Sequence, residues 1–139
     1  MGTRIKSWEK VLCDSIQELR DKPYSSNFNC YEFSMIIASR IRGRELMPYF
    51  RARWIDRIKI HKTITAIGID GICDKYLVRI FNEKNKTEAT RGDLVTVEAE
   101  NRSPDNKTGA RCDGAKGWTT GTNGLVSISS NQVRRVFKV

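Results

Sequence analysis

The spacing of apolar positions changes character about two thirds of the way along the chain. Over residues 7–22, Trp8, Val11, Leu12, Ile16 and Leu19 recur at helical intervals and form one face. Ser7 stands at the N-cap position. Pro23 ends the element because it lacks an N–H and clashes with the preceding turn. Tyr24 to Phe28 reads as a loop. A second helix is predicted from Asn29, whose spacing to Glu32 is that of a capping box. Its stripe is Cys30, Phe33, Ile37 and Ile41, broadened by Met35, Ile36 and Ala38, and Gly43 ends it. A helix apolar on most sides belongs in the middle of a domain. From Leu46 to Phe81 the pattern stays mainly helical, with breaks at Pro48 and Asp70-Gly71. The alternation of Ile58 and Ile60 leaves a strand open there, and Ile72 to Phe81 reads as a further short helix.

After the polar loop from Asn82 to Thr87 the period drops to two. Leu94-Val95-Thr96-Val97 alternates and is β-branched, which predicts a strand. Asn101 to Lys107 reads as a loop. Gly109–Asp113, Gly117–Thr119, Leu125–Ile128 and Val133–Val139 are further strands, separated by Gly and Asn turn signals. Helices first and an antiparallel sheet second predict one α+β domain over residues 1–139.

Composition narrows the classes. The 139 residues are 39% hydrophobic and 29% charged, which is globular rather than disordered. No run approaches the roughly 18 apolar residues of a membrane span, and the N-terminus lacks the apolar stretch of a signal peptide. Synthesis and retention in a cytoplasm is therefore expected, or exit by a route other than general export. Cys13, Cys30, Cys73 and Cys112 are scattered without a Cys-x-x-Cys pair. Reduced, mostly buried thiols are expected, with no metal and no cofactor.

The formal net charge is +9, and between Arg40 and Lys62 eight basic residues face only Glu45 and Asp56. Arg40, Arg42, Arg44, Arg51, Arg53 and Arg57 are therefore candidates for binding an acidic partner, in a segment that also carries Tyr49, Phe50 and Trp54. The bland alternative is a set of solvated helix faces over a core containing Phe50 and Trp54. No nucleic-acid motif accompanies the charge, so nucleic acid is the weaker reading of it.

Cys30 is the candidate nucleophile. A thiol on the first turn of a helix meets the positive end of the dipole, which favours thiolate. A cysteine hydrolase also needs an imidazole to move protons, and the chain has a single histidine, His61.

A helix-start cysteine followed by a Gly-Asp-hydrophobic strand and short antiparallel strands resembles the NlpC-type cell-wall peptidases, which have a papain-like fold. The chain is more closely similar to a small phage and gene-transfer-agent branch of that clan. The residues that carry this likeness are Trp8 and Leu12, then Arg20, Pro23 and Tyr24, then Asn29-Cys30 and Phe33. Ala89-Thr90-Arg91-Gly92-Asp93-Leu94, Gly109, Gly114, Gly124-Leu125-Val126 and Phe137-Lys138-Val139 follow in the same order. Two departures matter. The clan's Asp before the cysteine is Asn29. The strand that the clan's catalytic His opens is matched by Lys107 to Gly114, which contains none, and a hydroxyl at Thr108 is no base near neutral pH.

The resemblance implies a tail-tip or tail-assembly protein, made in the host cytoplasm and carried in the virion, docking other tail proteins through a degenerate peptidase fold. On this reading Cys30 is a thiol retained by packing, His61 a surface or partly packed residue, and Arg91-Gly92-Asp93 the turn that opens the first strand. The alternatives are a peptidoglycan hydrolase using Cys30 during wall penetration, and an intracellular phage effector binding nucleic acid or a host protein. An imidazole near the Cys30 sulfur would favour the first alternative, and steep salt dependence of DNA binding the second.

Overall fold

The computed structural model describes residues 4–25, 28–43, 57–100, 103–113 and 116–139, apart from the side chains at 31, 57–61 and 130. Among these residues the chain forms helices α1 (Trp8–Leu19), α2 (Cys30–Arg42) and α3 (Arg57–Lys75) and then six strands. The strands are β1 (Asn82–Lys84), β2 (Leu94–Glu98), β3 (Lys107–Asp113), β4 (Lys116–Thr119), β5 (Val126–Ser129) and β6 (Val133–Lys138). They make one sheet in the order β1-β6-β2-β3-β4-β5, antiparallel at every pairing. The expected α+β class is the class observed. No described helix is long and apolar enough to cross a membrane.

Local chemistry sets the helix ends. The Asn29 side chain accepts the Glu32 N–H at 2.9 Å, so the predicted cap of α2 is formed. Gly43 closes α2 with φ +68°, a left-handed conformation that a Cβ disfavours. Ser7 precedes α1 as expected, but its side chain makes no capping bond.

The predicted break at Asp70-Gly71 falls instead at Gly68, where φ is +72° inside α3. The cause is tertiary. The Asp105 carboxylate, from the β2–β3 loop, accepts the N–H groups of Ile69 and Asp70 at 3.0 and 2.9 Å and caps the helix segment that restarts there. A Cβ on Gly68 would stand 2.7 Å from the Asp105 Cγ. Residues 58 and 60 are helical, which resolves the alternative of a strand there. The expected break at Pro48 lies outside the described residues. The short helix expected from Ile72 to Phe81 is the end of α3 followed by a 3-10 turn at Leu77–Arg79.

The helices cover one face of the sheet. Leu12, Ile16 and Leu19 of α1 and Phe33, Met35, Ile37, Ala38 and Ile41 of α2 join Leu94 and Phe137 in the main core. Phe28 meets Phe33 edge to face at 6.1 Å between ring centroids. A smaller apolar layer of Val95, Val97, Ala110, Cys112 and Val136 lies on the opposite face. Strand β2 is thus buried on both faces. Strand β1, expected as loop, pairs with β6 at the sheet edge, where polar residues suffice because so little of it is buried.

Asp93 ties these parts together. It is fully buried and receives the Arg4 guanidinium at 3.0 Å, the Lys84 ammonium at 2.6 Å, and the Thr90 N–H and O–H at 3.0 Å each. Arg4 also donates to the carbonyls of Arg91 and Val139, joining both ends of the described chain to the start of β2. Arg91-Gly92-Asp93 is a turn that opens a strand, as expected. That strand is the second of the six, with Gly92 at φ +92°.

Candidate functional site

Cys30 is the first residue of α2 and is half-buried at a cleft of about 300 Å³. Asn29 caps its helix from one side. Tyr24, Ile64, Thr65, Ile69, Ser103 and Lys107 are among the residues that wall the cleft. The back of the site is the middle of β3. A Cβ on Gly109 would lie 3.4 Å from the Ser34 Oγ and 3.7 Å from the Cys30 Cβ, in van der Waals contact with both, so this part of the strand packs directly on the start of α2.

Strand alternation then decides which neighbour of Gly109 shares the cysteine's face. Thr108 pairs with Val97, whose side chain belongs to the opposite apolar layer. Lys107 and Arg111, two residues either way from Gly109, are on the Cys30 side. Thr108 was the residue weighed from the sequence, but the position facing the thiol is Lys107. Its ammonium forms an ion pair with Asp70 of α3. An ammonium has three donors and no acceptor, so it cannot take a proton from a thiol.

Arg111 fills the space beneath. It has no exposed surface, donates to the Gly92 carbonyl at 2.9 Å and to the Ser34 carbonyl, and so clamps β3 to α2 and to the turn before β2. Burial pushes its pKa down to about 9, against the nearby Asp93 carboxylate, which raises it. It stays cationic at neutral pH.

The single histidine lies on α3, the helix that contributes Ile64, Thr65 and Ile69 to the cleft. Its side chain is outside the described residues. The other cysteines stand apart from this chemistry. Cys73 is buried in the main core, where burial pushes its thiol up to about 12. Cys112 is buried on the opposite face, and Cys13 is exposed on α1. Among the described residues no group of His, Cys, Asp or Glu could hold a metal ion.

The basic candidates divide. Arg40 donates to Glu18 and to Ser15 of α1, so its charge is used within the chain. Arg42 stacks its guanidinium 5.5 Å from the centroid of the Phe81 ring. Arg44, Arg51 and Arg53 lie outside the described residues, as does the side chain of Arg57.

A helix-start cysteine set on a glycine of an antiparallel sheet, with helices on one face, is the papain-like arrangement of the NlpC/p60 class. The structure superposes on the NlpC/p60 domain of the peptidoglycan hydrolase SagA with a TM-score of 0.56, over 94% of this chain and 98% of that one. Sequence identity is 11%, so the likeness is one of fold. By sequence, residues 3–139 match the model of a domain of unknown function, DUF6950, and the chain belongs to that family. No curated protein sequence matches it.

Proposed function

We propose that this chain is a non-catalytic NlpC/p60-like domain that acts by docking. Its setting on this reading is the tail of a phage or phage-like particle, at or near the tip, after synthesis in the host cytoplasm. The observation that carries the non-catalytic part is Lys107. It occupies the Cys30-facing position at the start of β3, where the clan resemblance calls for an imidazole, and it is ion-paired to Asp70. The tail setting is supported by the ordered motifs from Trp8 to Val139 that resemble the phage branch. The excess of basic over acidic residues in the sequence from Arg40 to Lys62 supports an acidic tail partner.

Two measurements test this. Purified particles should contain the chain by mass spectrometry, and the R51E/R53E/R57E variant should be lost from them while remaining folded. Purified chain should release no fragments from peptidoglycan. Release that disappears in Cys30→Ala would overturn the non-catalytic reading.

A second reading is favoured by the cleft itself. Cys30 opens onto room for a peptide at a helix N-terminus, whose N–H groups can stabilise an oxyanion. In this reading the chain is a wall hydrolase acting on peptidoglycan, and His61 on α3 is the base. His61→Ala should then slow Cys30 alkylation at neutral pH and abolish fragment release together.

A further inference from the structure

Beneath the Cys30 cleft a narrow recess of about 30 Å³ lies between α2, α3 and the middle of β2 and β3. Cys30, Ile64 and Ile69 wall both spaces, so the two adjoin. Gly109 helps to make the room, because it presents no side chain there, and a Cβ on it would lie 3.4 Å from the Ser34 Oγ. Leu77 and Leu94 are typical of the apolar walls. Two hydroxyl-bearing residues break that pattern, Ser34 of α2 and Thr96 of β2. Thr96 stands directly opposite Gly109 in the ladder, so both are on the helix-bearing side of the sheet.

Ser34 is 3% exposed and Thr96 is 1% exposed. Neither the Ser34 Oγ nor the Thr96 Oγ1 has a hydrogen-bond partner among the described residues. A buried hydroxyl without a partner bears its full desolvation cost, and native interiors rarely leave one so. Size then decides what can pair with these two. A water molecule needs about 10–15 Å³ of such space and at least about two polar partners. The recess is large enough for about two waters on that measure. A hydroxyl both donates and accepts, so Ser34 and Thr96 together meet the second requirement. A wholly apolar cavity stays dry even when much larger than this one. The hydroxyls, not the volume, therefore call for water.

We propose that Ser34 and Thr96 hold water in this recess, as a buried hydration site that joins α2 to β2 behind Cys30. The Ser34 carbonyl is already tied to the sheet by Arg111, which stands opposite Leu94. The water ties the hydroxyl of the same residue to Thr96, two residues along β2 from Leu94. The first turns of the cysteine's helix are thus fixed to the sheet by two polar links, one through a guanidinium and one through solvent. The site requires no catalytic role for Cys30 and no partner for the Arg40–Lys62 segment, so it stands or falls independently of the function proposed above.

The test is urea unfolding of the full chain with Ser34→Ala, Thr96→Val and the double variant, together with a crystal structure of the wild type. Thr96→Val replaces the hydroxyl by a methyl of the same shape. Each single substitution takes a partner from the water, so the unfolding equilibrium constant should rise about fivefold. The double variant should be less damaged than the product of the two singles, because both act on the same water. The wild-type crystal should show a water within about 2.5–3.0 Å of both hydroxyl oxygens. A dry recess gives the opposite sign, since Thr96→Val then removes an unpaired hydroxyl and stabilises the fold. That stabilisation, fully multiplicative effects of the two substitutions, or a crystal in which no water touches both hydroxyls would overturn the proposal.

Discussion

Asp93 and Cys30 both belong to short motifs that mark the NlpC-like pattern, yet the fold treats them in opposite ways. Asp93 is fully buried, and donors from Arg4, Lys84 and Thr90 meet both of its carboxylate oxygens. Cys30 is half-buried and faces about 300 Å³ of open cleft. A buried charge with all its partners in place is structural, because removing any one leaves the rest unpaired in a poorly solvated place. A thiol at a cleft has few such obligations. One motif therefore holds the fold together, and the other only keeps a place in it. Gly109 and Arg111 fix that place by packing β3 against α2.

The contrast predicts an order of effects on stability, measured by urea unfolding at neutral pH. Asp93→Ala should be the most damaging, at about 3–5 kcal/mol, because it strands the Arg4 and Lys84 charges. A loss comparable to that of Cys30→Ala would erase the contrast. Gly109→Val should cost about 1–3 kcal/mol by forcing β3 away from α2. It should also change the alkylation rate of Cys30, while the thiol of Cys73 stays protected in the core.

Asp105→Ala should cost about 1 kcal/mol through loss of the cap on the second part of α3. Burial alone would raise the Asp105 pKa, but hydrogen bonds from Ser103 and from the N–H groups of Asp70 and Ile69 outweigh it, and the net direction is down. The folded state therefore prefers the carboxylate. That contribution is present above the unfolded carboxylate pKa of about 4 and is lost as pH falls through the lower folded value. The gap between wild type and Asp105→Ala should accordingly close below about pH 4. A gap that widened on acidification would contradict the capping role. Cys30→Ala should have the smallest effect, about 1 kcal/mol or less, with no change in the fold by circular dichroism.

Much of the architecture was legible in the chain because it rests on local rules. The stripe from Cys30 to Ile41, the Asn29 cap and the Gly43 stop each need only neighbours within a few residues. The alternation of Leu94 to Val97 marked a strand for the same reason. What local rules missed depended on partners distant in sequence. Asn82–Lys84 became a strand because β6, more than fifty residues away, offered it an edge. The kink moved to Gly68 because Asp105 arrives from another loop.

For the site, sequence alone determined that a cysteine opens a buried helix, that its chain has one histidine, and that the strand expected to supply a base has none. Those are matters of identity and spacing. Only the tertiary structure decided that Lys107 rather than Thr108 faces Cys30, because the side of a strand is set by which residue packs against a neighbour, here Gly109 against α2. It alone decided that Asp70 occupies that lysine. No spacing along the chain encodes which carboxylate a lysine will reach.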